Sequence, residues 1–246
     1  MQKNLSLANQ LIATLPAQER GLFLAHSELV ELKLHEMVCW AGDVCESVWF
    51  PVEGFVSIIF PAPGSTDMAV AQVGSEGMFP TSAVFDVNHS AFNCRVQAPG
   101  RAFRMTQTSL QQSTCLREVL NRYADARLCQ LAQQTVCINH HSVEQRLART
   151  LLMSRDRLSS SELFLTHEVF SLMLGVRRES VTQVAGTFQR RGLISYSRGY
   201  VMLLDEMALK SIACGCYDAD LQTYARAFPG ASVIGVTPPA VAAASL

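Results

Sequence analysis

Between Thr108 and Leu158 the chain contains no glycine and no proline, so nothing in that stretch interrupts a helix. Other absences are equally informative. No apolar run approaches the roughly 20 residues that a membrane-crossing helix needs, and the N-terminus lacks a basic segment followed by an apolar one. A cytoplasmic protein with no membrane partner is expected. The eight cysteines include no Cys-x-x-Cys pair, and in that compartment they read as reduced thiols rather than a disulfide framework. Cys214 and Cys216 stand one residue apart, which is poor zinc spacing without further ligands, so no metal and no cofactor are expected. The sequence has no nucleophile elbow, no glycine loop followed by Lys-Ser/Thr and no metal-ligand cluster, which argues against an enzyme.

What is present is concentrated between Leu165 and Gly192. Thr166 can cap a helix that carries Val169, Phe170, Met173 and Leu174 on one face, and Gly175 ends it in a sharp turn. A second helix then places Val181, Val184, Ala185 and Phe188 inward, with Gly192 just past its end. Small Ser171 sits where the two helices must approach closely. This register is a helix-turn-helix, and it turns Arg177, Arg178, Glu179, Ser180, Thr182 and Gln183 toward the outside, where such side chains can read base edges. Leu193–Tyr196 and Tyr200–Leu204 flank Ser197-Arg198-Gly199 as a hairpin, the position of a wing.

Net charge is -1, yet it is unevenly spread. Residues 142–200 hold nine Lys/Arg against five Asp/Glu, whereas residues 1–141 hold nine against twelve. The positive excess therefore lies on the segment with the helix-turn-helix, as DNA phosphates would reward.

At 246 residues the chain suggests one large or two small domains. Residues 1–30 read as helical, with Leu5, Leu11, Ile12 and Leu15 ahead of Pro16. From about Val30 to Met105, short runs such as Val48–Phe50, Phe55–Phe60, Met68–Ala71 and Cys94–Ala98 are separated by Gly and Pro, which predicts an antiparallel roll of seven or eight strands. Leu116, Leu120, Tyr123, Leu128, Leu131, Thr135 and Ile138 stripe a long helix. Either that stripe pairs with a second copy of the chain in a homodimer, or it packs on the roll. The predicted architecture is α+β: an antiparallel jelly-roll-like β-roll with N-terminal helices (1–107), a dimerisation helix (108–141), a winged helix-turn-helix (142–217) and a flexible tail (218–246).

That order of parts resembles the Crp/Fnr family of regulators. The resemblance spans roughly residues 10–217 and is most specific in Leu165-Thr166-His167-Glu168, Gly175–Thr182, Arg191-Gly192-Leu193-Ile194 and Ala213-Cys214-Gly215-Cys216-Tyr217. It implies a cyclic-nucleotide-binding-like roll, double-stranded DNA as ligand, a second copy of the chain and RNA polymerase as partners, and a small-molecule effector that the sequence does not name. Arg178 and Glu179 match the base-reading pair of the family, whereas Gln183 stands where a second arginine is usual. In the phosphate cassette of the cyclic-nucleotide-binding relatives, Phe92 falls at the arginine, Asn93 at the Ser/Thr and Met78 near the glutamate, so these three mark an altered effector pocket. No cysteine precedes Cys39, so the closely spaced N-terminal cysteines of the iron-sulfur relatives are absent. A haem could be held through His35, His89 or His26, and Cys115, Cys129 and Cys137 on the long helix either pack or sense oxidants. Regulating an enzyme, or binding protein rather than DNA through the winged helix, would be the competing roles.

Overall fold

The computed structural model describes residues 6–158 and 160–229. Two short helices come first, α1 (Gln10–Ala13) and α2 (Ala17–Ala25), with Pro16 just before the second, where its missing N–H costs nothing. Asn9 caps α1 through its side-chain oxygen, and its amide nitrogen donates to the carbonyls of Pro51 and Gly77, both at 2.9 Å. Leu5 of the expected helical stretch lies outside the described residues.

Seven strands build the roll as two antiparallel sheets. They are β1 (Ser27–Leu32), β2 (Met37–Cys39), β3 (Ser47–Pro51), β4 (Phe55–Phe60), β5 (Met68–Val73), β6 (Asn93–Ala98) and β7 (Gly100–Thr106). One sheet has the order β1-β7-β3 and the other β2-β6-β4-β5. Leu32, Val56, Ile58, Val73, Phe79, Cys94 and Val96 fill the space between them. β1 starts at Ser27, inside the stretch expected to be helical, because Ser27–Leu32 finds a partner in Gly100–Met105 that local sequence cannot show.

The glycine-free region folds as three helices: α3 (Gln107–Gln112), α4 (Thr114–His140) and α5 (Val143–Leu158). Ser113 breaks the first two apart, since its hydroxyl oxygen accepts from the amide of Leu116 at 3.2 Å and restarts the helix. The stripe on α4 divides in the middle, and the expected dimer face is corrected accordingly. Leu116, Leu120 and Tyr123 are fully buried within their own chain, against Phe50, Phe103 and Met78. The Tyr123 hydroxyl donates to the Met78 carbonyl at 2.9 Å, and Gly77 lies so close that a Cβ there would fall 2.4 Å from the Tyr123 oxygen. Further along, Leu128 is 59% exposed and Val136 48% exposed, Thr135 is exposed, and Leu131 and Ile138 are half-buried.

The last domain holds β8 (Glu162–Phe164), α6 (His167–Leu174), α7 (Arg178–Arg190), β9 (Ile194–Ser197), β10 (Tyr200–Leu203) and α8 (Glu206–Ile212). Its core of Leu147, Leu151, Phe170, Val181, Phe188 and Val201 continues into the roll through Phe55, Ile59 and Ala69. The turn at Gly175 reaches the same sheet: a Cβ at Gly175 would meet Met68 Sδ at 3.2 Å.

The expected tail is also corrected. Residues Cys216–Ala227 form a helix, α9, that packs along α4, with Tyr224 and Phe228 in the same core as Leu116 and Leu120. Its anchor is polar, because Asp220 and Arg149 form a buried ion pair, so an apolar repeat does not reveal it. The tail expected over residues 230–246 lies outside the described residues. Among the described residues, no helix is long and apolar enough to cross a membrane.

Candidate nucleic-acid interface

The site rests on four local devices. Thr166 Oγ1 accepts from the Val169 amide at 3.3 Å and starts α6, while Gly175, at φ 60°, ends it with the left-handed turn that only glycine adopts without strain. Arg146, from α5, donates to the carbonyl of Leu174 and so satisfies one of the last acceptors of α6. Ser171 bridges the turn by donating to the Val176 carbonyl at 2.5 Å. Val181, Ala185 and Phe188 then bury the inner face of α7.

With that face fixed, the opposite side is determined by helix geometry. Arg178 and Thr182 share one row at i, i+4, and Glu179 and Gln183 the next. Arg177, Arg178, Glu179, Thr182 and Gln183 are all exposed, Ser180 is half-buried, and Thr166 is spent on its cap. The Thr182 hydroxyl donates to the Arg178 carbonyl at 3.0 Å and accepts from His167 Nδ1 at 2.9 Å, so its one proton is committed within the motif. His167 stacks on Tyr196 of β9 with ring centroids 4.2 Å apart, which ties first helix, second helix and wing together. Burial, and then the charge of Arg178, hold the pKa of His167 below its ordinary value, in keeping with a neutral ring that donates through Nδ1.

The wing is the predicted hairpin. β9 and β10 pair from Ser197–Tyr200 to Ile194–Leu203, and Arg198 and Gly199 at its tip both have positive φ, 52° and 89°. That is the backbone of a tight two-residue hairpin turn, and it leaves Arg198 exposed. A third strand, β8, pairs with β10. Its three residues are too short to stand out from the preceding helix in sequence.

The electrostatic expectation is narrowed. Of the nine basic residues in 142–200, Arg146 and Arg149 are buried and Arg157 half-buried, Arg149 and Arg157 paired with Asp220 and Glu76, and Arg155 and Arg191 pair with Glu206 and Glu144. Arg177, Arg178, Arg190 and Arg198 are exposed. The useful positive surface is therefore smaller than a residue count suggests, but it coincides with α7 and the wing.

The pocket residues separate. Phe92 lines an apolar cavity of about 330 Å³ between the roll and α4, together with Ile58, Val87, Cys94, Leu128 and Leu131. Met78 does not belong to it: its side chain is fully buried in the core under α4. The oxygen of the Asn93 side chain is taken up by the amide of Ala41 at 2.7 Å. The structure also gathers Cys137, His141, Cys214 and Cys216 in one place. Sequence spacing alone leaves Cys214 and Cys216 without partners and gives His141 no role.

A winged helix-turn-helix carried behind a β-roll and a long helix defines a DNA-binding transcriptional regulator. Residues 145–212 match the Crp-like helix-turn-helix domain, and residues 29–113 match the cyclic nucleotide-binding domain. The two matches, in this order along one chain, make it a DNA-binding transcriptional regulator of the Crp/Fnr type. It is 23% identical over 197 residues to the cAMP-activated global transcriptional regulator Vfr of Pseudomonas aeruginosa, covering 74% of this chain and 91% of Vfr. Among solved structures it resembles the c-di-GMP responsive global regulator CLP of Xanthomonas campestris, with 19% identity, a TM-score of 0.63, and 77% of this chain and 100% of that one covered. A CRP-family transcriptional regulator from Thermus thermophilus is similar at 18% identity and a TM-score of 0.65, covering 75% and 96% of the two chains.

Proposed function

We propose that this regulator acts as a homodimer that reads two half-sites in the DNA major groove through α7. The observation that carries the reading is the outward row of Arg178, Glu179 and Gln183 on a helix whose opposite face is locked in the core. Arg178 suits guanine O6 and N7, and Glu179 suits the amino group of cytosine. Gln183, one turn on from Glu179, suits adenine better than the guanine an arginine would select. Arg177 and Arg198 contact backbone phosphates, which position the domain without reading sequence. Two such helices read half-sites about 34 Å apart.

The dimer face is the outer half of α4, formed by Leu128, Leu131, Thr135, Val136 and Ile138. Left in water, this row would expose two large apolar side chains on one helix, and pairing with its own copy removes them. RNA polymerase is the protein partner that a regulator bound at a promoter would contact.

The input acts at the roll. The apolar cavity is of a size that takes a small molecule, and its lining includes Leu128 and Leu131, which also belong to the dimer face. A ligand there would bear directly on how two copies pack. The lining is mostly apolar, with Arg127 its one arginine, and favours a mostly apolar effector over a cyclic nucleotide held by its phosphate, since Phe92 cannot neutralise an anion. Binding of a DNA fragment carrying a selected site, followed as salt is raised and by sedimentation, tests the reading: a two-chains-per-site complex whose affinity falls steeply with salt supports it, and salt-insensitive or absent binding opposes it.

A further inference from the structure

The end of α4 and the start of α9 meet at four side chains with ligating atoms. Cys137 and His141 lie one helical turn apart at the end of α4, and Cys214 and Cys216 flank Gly215 where α9 begins. Their ligating atoms all lie within 4.8 Å of one another. Cys137 Sγ is 3.6 Å from Cys214 Sγ, and Cys216 Sγ is 3.5 Å from His141 Nδ1. All three sulfurs belong to buried residues.

These distances discriminate between chemistries. A disulfide holds its sulfurs at about 2.05 Å, far closer than the two atoms here. Around a tetrahedral zinc ion, with Zn–S about 2.3 Å and Zn–N about 2.0 Å, the edges come to about 3.8 Å between sulfurs and about 3.5 Å between sulfur and nitrogen. The Cys137–Cys214 and Cys216–His141 edges are within about 0.2 Å of those lengths, and all four ligating atoms lie close enough to share one ion. Buried cysteines commonly act as small apolar groups, but here polar donors are aimed at the sulfurs. Gln133 Nε2 donates to Cys216 Sγ at 3.0 Å, and Arg149 Nη1 approaches Cys137 Sγ at 3.5 Å.

We propose that Cys137, His141, Cys214 and Cys216 form a tetrahedral site for one soft divalent transition-metal ion, zinc in the cell. On binding, three thiols release their protons to solvent and the imidazole coordinates as the neutral base, which leaves the site with a single net negative charge. Arg149, whose charge is paired with Asp220, still donates through Nη1 to Cys137, and Gln133 orients Cys216, the kind of supporting contact that metal ligands need. A single ion fits better than an iron-sulfur cluster, whose bridging sulfides would push the cysteine sulfurs further apart.

The position gives the ion a task. His141 is two residues before α5, so the site lies at the bend between the long helix and the DNA-binding domain, and α9 runs back along α4 from it. The ion staples that bend and fixes how the DNA-binding domain leaves α4. Metal content does not depend on DNA binding, so the two readings fail separately.

The test is elemental analysis of the full chain, purified in reductant without a metal-binding tag, followed by cobalt(II) titration of the chelator-stripped protein. One zinc per chain is expected, together with the intense visible bands of tetrahedral thiolate-bound cobalt, saturating at one ion per chain. The paired Cys137→Ser and Cys216→Ser substitutions should lose both signals, Cys39→Ser in the roll should keep both, and Gln133→Ala should weaken zinc binding about tenfold. Wild type that neither holds zinc nor gives the tetrahedral cobalt spectrum would overturn the proposal. So would metal that survives the paired substitution.

Discussion

His167 Nδ1 donates to the hydroxyl oxygen of Thr182 at 2.9 Å, a bond from the first helix of the motif to the recognition helix fifteen residues on. Donation through Nδ1 needs no second proton on the ring, and burial beside Arg178 disfavours one. The unfolded chain therefore binds a proton more readily than the folded chain. Stability that is intact above the ordinary histidine value of 6.5 should fall as pH drops through it, levelling off once the folded ring itself protonates. Thermal unfolding measured across this range should show the loss in wild type and a flatter profile in His167→Gln. Equal slopes would mean that this histidine is not the group responsible.

The two halves of α4 should answer differently to substitution. Gly77→Ala would force a Cβ to within 2.4 Å of the Tyr123 hydroxyl, and should destabilise the fold by about 1–3 kcal/mol through overpacking. Leu128→Asp and Leu131→Asp should both shift sedimentation toward monomer and weaken DNA binding, with the smaller loss of stability at Leu128, which is 59% exposed, than at half-buried Leu131. A dimer that survives both charged substitutions would remove α4 from the interface.

The helix-turn-helix was legible because its signals are local. A capping threonine, a left-handed glycine and buried valines act within a few residues of one another, and each appears where the pattern requires it. The stripe on α4 was visible in the same way, but periodicity reports that a face is apolar and not what covers it. Tyr123 is covered by Met78 and Gly77, which only the folded roll brings near. Charge counting failed for a related reason, since Arg149 has its partner Asp220 71 positions away, and Arg157 reaches back into the roll for Glu76. The wing tip was readable from Gly199, whereas α9 was not, because what holds it includes a buried Asp220 rather than an apolar repeat. The cysteine and histidine group lay beyond reach altogether, its two halves being 77 residues apart in sequence for Cys137 and Cys214.

Phe92 lines the roll cavity as an apolar ring, and Met78 is withdrawn into the core. Cyclic AMP should accordingly give no measurable heat in calorimetry at micromolar protein. A saturable micromolar isotherm would show that another group, such as Arg127 at the edge of the same cavity, takes over the phosphate.

Whether α7 reads base edges is decided by selection of bound sequences from a random DNA pool. Wild type should yield a two-fold symmetric motif with one guanine per half-site that depends on Arg178. Losing a bidentate contact costs about 1–3 kcal/mol and relaxes choice at that base alone, whereas losing a phosphate contact weakens every sequence alike. Arg178→Ala should therefore erase the preference at that symmetric pair, and Gln183→Arg should shift a neighbouring position toward guanine. The same motif recovered from wild type and Arg178→Ala would contradict the account.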